Sequence, residues 1–158
     1  MRSLSPIPSV PAAAQRRALP AAWSLAPRVL GALATLAVGA VHLQQYSKLY
    51  SAVPTIGTLF VLNFAGATVL GVALLTPIER LAGRFGHIVV ALLALAAIGL
   101  AATAFVFLLI SEHTGLFGFK EPGYDPTGIA AARISEIATV VLLGAFLVAH
   151  VTQRRRSS

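Results

Sequence analysis

Residues 88–110 read IVVALLALAAIGLAATAFVFLLI, 23 consecutive positions without a charged side chain. As an α-helix this run is about 35 Å long, more than the roughly 30 Å of a bilayer's hydrocarbon core. Strands of a soluble sheet use apolar runs of only about 4–8 residues, so length alone decides for a membrane helix.

Three more runs follow the same rule. Residues 55–76, TIGTLFVLNFAGATVLGVALLT, hold no charge and one strong polar group, Asn63. Pro54 stands where a helix can start and Pro77 where it must stop. Residues 28–47 supply twenty positions around VLGALATLAVGAVHL, just enough to cross. Residues 128–151 form a fourth run that contains Arg133, Glu136 and His150. Asp125 and Pro126 ahead of it suit an N-cap followed by a first-turn proline.

Composition agrees with this assignment. Hydrophobic residues make up 57% of the 158 positions and charged residues 11%, with mean hydropathy +0.83. Soluble domains carry about 25% charge, so so few charged side chains could not cover a soluble fold. A soluble enzyme, a disordered chain and a nucleic-acid module are all excluded on that ground. Cysteine is absent, which rules out disulfides, thiolate metal sites and cysteine nucleophiles.

The predicted fold is an all-α membrane protein, a four-helix up-down bundle with short connections. Residues 1–27, rich in Pro, Ala and Ser, are expected to be a disordered arm. Residues 28–151 form the transmembrane domain and residues 152–158 a basic tail. A signal peptide is the alternative for the same N-terminal stretch, with Arg16, Arg17 and Arg28 before an apolar run ending in Ala37-Val38-Gly39-Ala40. The apolar run continues past Ala40, which favours an uncleaved helix.

Net charge is +7, and its placement orients the bundle. With four spans, Arg2, Arg16, Arg17, Arg28, Arg80, Arg84, Arg154, Arg155 and Arg156 fall on one side, and Lys48 and Lys120 on the other. Lys and Arg accumulate on the cytoplasmic side, so a plasma-membrane protein with both termini in the cytoplasm is expected. The arginines lack interleaved aromatics, and nucleic acid is not an expected partner. The expected partners are the bilayer and a membrane-protein subunit or second copy. Small residues at fourfold spacing, Gly31, Thr35 and Gly39 on the first helix and Ala132, Glu136, Val140 and Gly144 on the fourth, suit helix contact.

Ionisable groups inside a span are costly and mark candidate sites. Glu136 lies about 15 Å below the start of its helix, with Arg133 one turn away to pair with it. Asn63 lies about 12 Å deep on its own helix. With His42 near the same end of the first helix, His42, Asn63, Arg133 and Glu136 are predicted to form an outward-opening, ligand-binding polar pocket. His42, His113 and Glu112 or Glu136 suggest a nitrogen and oxygen metal set, without a motif to fix its spacing. The connection EHTGLFGFKEPGYDP, residues 112–126, is either an aromatic belt loop or a cap over that pocket. No P-loop, dinucleotide fingerprint, Ser/His/Asp set or HExxH occurs. No cofactor and no catalytic activity are expected. The leading function is a small membrane component binding a ligand, lipid or partner. The alternative is a proton- or metal-coupled transporter or redox protein using Glu136 and the histidines.

His42-Leu43, the run Val53-Pro54-Thr55-Ile56-Gly57-Thr58-Leu59-Phe60-Val61-Leu62-Asn63, and Gly115-Leu116-Phe117-Gly118-Phe119 with Glu121 resemble a group of small four-helix membrane proteins of actinobacteria. The resemblance covers roughly residues 39–150. It implies the fold and a plasma-membrane location, and it implies no activity.

Overall fold

The computed structural model describes residues 12–155. Its helices are α1 (Ala12–Lys48), α2 (Pro54–Leu75), the short α3 (Ile78–Leu81), α4 (Gly86–His113) and α5 (Pro126–Arg155). Four stretches are long and apolar enough to cross a membrane: Leu25–Lys48, Pro54–Leu75, Gly83–His113 and Pro126–Arg155. The all-α, four-helix fold is as the sequence predicts, and it is compatible with an integral membrane protein.

Two boundaries differ from expectation. Helical backbone begins at Ala12, ahead of residue 28, because the alanines between the prolines favour helix. The expected arm thus reaches into α1, and residues 1–11 lie outside the described residues. At the other end α5 continues through Arg154 and Arg155. Arginine is a good helix former, and its charge suits the negative end of the helix dipole. The rest of the basic tail, residues 156–158, lies outside the described residues.

The helix ends follow local chemistry. Val53 is extended and Pro54 opens α2, where its missing N–H costs nothing. Asp125 caps α5, its Oδ1 accepting the Gly128 N–H at 3.0 Å. In the connection between α4 and α5, Leu116 and Phe119 exchange backbone hydrogen bonds of 2.7 and 2.9 Å. Phe117 and Gly118 between them both have positive φ, 50° and 80°, as a tight two-residue turn requires.

The four long helices pack as a ring in chain order. α1 lies against α2 and α5, and α4 completes the ring by packing on both of those neighbours. α1 and α2 approach closely because they meet through small residues. A Cβ on Gly39 would stand 3.2 Å from Ala67 Cβ, and one on Gly71 would stand 2.7 Å from Leu36. The α5 stripe behaves differently, since Gly144 has open space around it while Thr139, Leu143 and Phe146 face inward.

The bundle has two unlike ends. At the end where α2 and α5 finish, Ala32, Leu74, Val90, Ala94, Ala97, Leu143 and Phe146 form an apolar core. Arg28 closes this end, with Nε donating to the Leu74 carbonyl at 2.8 Å, Nη2 to the Thr76 carbonyl at 2.6 Å, and Nη1 to Glu79. These are late carbonyls of the α2 end, which a helix leaves unpaired. The opposite, loop-bearing end is where the buried polar side chains gather.

Candidate functional site

α5 shows how the sequence places polar groups inward. Ser135, Glu136, Thr139, Leu143 and Phe146 are buried, at the spacing of one helix face. Ile134, Ile137, Val141 and Val148 on the other side are each more than half exposed. In lipid the exposed side is the favourable place for apolar groups, so the polar stripe turns into the bundle.

At the loop-bearing end the helices enclose a cavity of about 230 Å³. His42, Asn63 and Glu136 all line it, brought from α1, α2 and α5. Glu136 is only 1% exposed. His42 Nδ1–H donates to the Val38 carbonyl at 2.8 Å, since that oxygen can only accept. The other ring nitrogen, Nε2, then faces Glu136 Oε1 at 3.8 Å, too far for a hydrogen bond. Glu136 Oε2, Asn63 Oδ1 and Gln45 Oε1 are buried acceptors with no hydrogen-bond partner.

Arg133 does not join them. The expected Arg133–Glu136 pair is replaced by Arg133 Nη2 donating to Glu112 Oε2 at 2.5 Å across to α4. Arg133 is also not among the residues lining the cavity. The reason is solvation: the Arg133 side chain is 40% exposed and that of Glu112 19%, so this pair keeps part of its water. A pair with the enclosed Glu136 would lose nearly all of it. The suggested metal set is not assembled either. His113 is exposed and its Nδ1 is bonded to the Leu109 carbonyl, while Glu112 is committed to Arg133. Among the described residues no group of three His, Cys, Asp or Glu side chains is placed to hold a metal.

Four residues complete the site that spacing alone did not single out: Gln45, Tyr50, Ser111 and Glu121. They lie at helix ends or in connections, where polar residues are ordinary. Glu121 is 5% exposed and fully engaged. It accepts the Tyr50 hydroxyl on one oxygen and the Gly123 and Tyr124 N–H groups, at 2.8 and 3.1 Å, on the other. Its own N–H donates to the Ser111 carbonyl at 2.9 Å, tying the connection to the end of α4. Burial, with the Glu121 carboxylate beside it, pushes the Tyr50 phenol above its ordinary range. Asp125 outside the cavity is held below the usual carboxylate range by the Gly128 N–H and the Gln45 amide.

Tyr50 stacks on Phe60 at 4.7 Å between centroids and meets Phe119 edge-on at 5.7 Å. Tyr50, Phe119 and Glu121, all buried or half-buried, roof the cavity at the loop end. Of the two readings of residues 112–126, this geometry matches the cap. The arrangement offers a buried carboxylate, amide oxygens and an imidazole at the wall of an otherwise apolar, aromatic space. Comparison of the chain with protein families, with curated proteins and with solved structures gives no match.

Proposed function

We propose that the chain is a small ligand-binding component of the plasma membrane, with both termini in the cytoplasm and the cavity in the outer half of the bilayer. Nine arginines towards one end, against Lys48, Lys120 and Arg133 towards the other, support that orientation. The observation that carries the binding role is Glu136. A carboxylate at 1% exposure, with one oxygen unpartnered and the adjacent arginine bonded elsewhere, is costly to keep unless something uses it. His42 and Asn63 stand on the same cavity as further polar contacts.

The test uses full-length protein isolated from its own membranes and examined by native mass spectrometry. A bound small molecule is expected on the wild type. It should be missing from Ala132→Phe, which fills the cavity, and from Asn63→Leu, each with unchanged melting. The reading is overturned if the wild type carries no such molecule, or if both folded variants retain it.

A further inference from the structure

We propose that this cavity takes a membrane-soluble organic ammonium compound, admitted sideways from the lipid between α2 and α4, whose N–H groups donate to Glu136. This rests on the ligand-binding reading above and names the ligand's chemistry and its path.

Charge points to a cation. The chain has 12 Lys and Arg against 5 Asp and Glu, yet two of those acids, Glu121 and Glu136, line the cavity and no Lys or Arg does. Glu121 is already satisfied by three donors. Glu136 is not, and its free oxygen shares the cavity with the free amide oxygen of Asn63. Acceptors without donors recognise N–H groups, and a primary ammonium brings three. No Lys or Arg lines the cavity to receive the phosphate of an aminophospholipid, so the ammonium should be joined directly to an apolar body.

Shape gives the body. A cavity of roughly 150 Å³ holds benzene, so about 230 Å³ admits a substituted ring. Phe60 and Phe107 add aromatic surface, which attracts cations as well as apolar groups.

Exposure gives the path. Every residue lining the cavity is buried or half-buried except two, Leu62 on α2 and Thr103 on α4. Leu62 is 61% exposed. Both lie within candidate spans, so on the membrane reading they face acyl chains rather than water. Gly66 against Leu100 brings α2 and α4 together one turn further towards the termini, which bounds the gap on that side. The roof of Tyr50, Phe119 and Glu121 bounds it on the other.

Three isosteric probes read the proposal: phenethylamine, phenethyl alcohol and phenylacetate, measured by equilibrium dialysis on the full chain in phosphatidylcholine nanodiscs. The amine should bind saturably, one per chain, at least about tenfold tighter than the alcohol, with phenylacetate excluded. Glu136→Gln should bring the amine to the level of the alcohol and leave the alcohol unchanged. In stopped-flow mixing, Thr103→Trp should slow amine uptake, and Phe117→Ala in the outer turn should not. Equal binding of amine and alcohol overturns the proposal, as does failure of all three probes to bind. Alcohol binding that Ala132→Phe abolishes would leave the cavity a ligand site while removing its preference for cations. Slowing by the Phe117 change alone overturns the lateral path. Displacement of the amine by added phosphatidylethanolamine overturns the exclusion of phosphate.

Discussion

Arg133 and Glu136 stand three residues apart on α5 and serve different neighbours. Arg133 reaches across to Glu112 on α4, and Glu136 turns to His42 on α1, 3.8 Å away. Local proximity on one helix is thus overruled by what each side chain meets on the next. A double-mutant cycle should find about 0.5 kcal/mol of coupling between Arg133 and Glu112, a partly solvated pair. The cycle between Arg133 and Glu136 should give less. Glu136→Gln alone should leave stability unchanged or raise it by about 1 kcal/mol, since it replaces a buried acid with a neutral amide of the same shape without stranding the arginine. Unfolding in mixed detergent micelles measures all of these. A larger coupling for Arg133 with Glu136 would show that the bond to Glu112 does not govern.

Two glycines separate packing from propensity. A Cβ on Gly86 would fall 2.5 Å from Glu79 Cα and 2.6 Å from its carbonyl oxygen, so backbone must move. Gly144 has nothing within 4 Å. Gly86→Ala should therefore cost about 1–3 kcal/mol. Gly144→Ala should be neutral or stabilising by up to about 1 kcal/mol. Equal melting of the two variants would contradict this.

Tyr50 should ionise above the ordinary phenol range in an alkaline titration followed by tyrosinate absorbance. Its phenol is raised above the ordinary value of 10.0 by burial and by Glu121. The sign follows from linkage: a phenol raised in the folded state contributes stability that is full below 10.0 and is lost as the pH climbs above it. Tyr50→Phe should flatten that alkaline loss. It should also lower neutral stability by about 1–3 kcal/mol, because the buried Glu121 loses a donor. An unchanged alkaline slope would show that the hydroxyl does not hold Glu121.

Reporter fusions test the proposed orientation. Alkaline phosphatase should be active after residues 52 and 120 and inactive after residues 82 and 158. Activity at 82 or 158 would reverse the bundle in the membrane.

Much of the fold was legible because a bilayer allows few alternatives. Apolar runs of 22 and 23 residues bracketed by prolines or charges can hardly be anything but spans. Glu136 and Asn63 stood out for the same reason, being polar where polarity is costly. The partner of Arg133 did not, because i−3 spacing gives nearness along a helix and says nothing of which neighbouring helix the side chain will meet. The bond between Tyr50 and Glu121 joins residues 71 positions apart, outside the spans, where one acid in a loop carries no distinguishing pattern. The start of α1 was missed because the prolines weighed more than the alanines between them.

The Arg28 clasp sets an order of events during synthesis. Its guanidinium bonds to groups that come much later in the chain, Leu74, Thr76 and Glu79, the last of them 51 residues downstream. When the first helix leaves the ribosome none of these exists, so in a membrane the charge would stay at the water's edge and hold that end of the apolar span there. Only after the second helix has been made can the arginine be enclosed. The same side chain is then first a brake on the nascent helix and afterwards the latch of a finished hairpin.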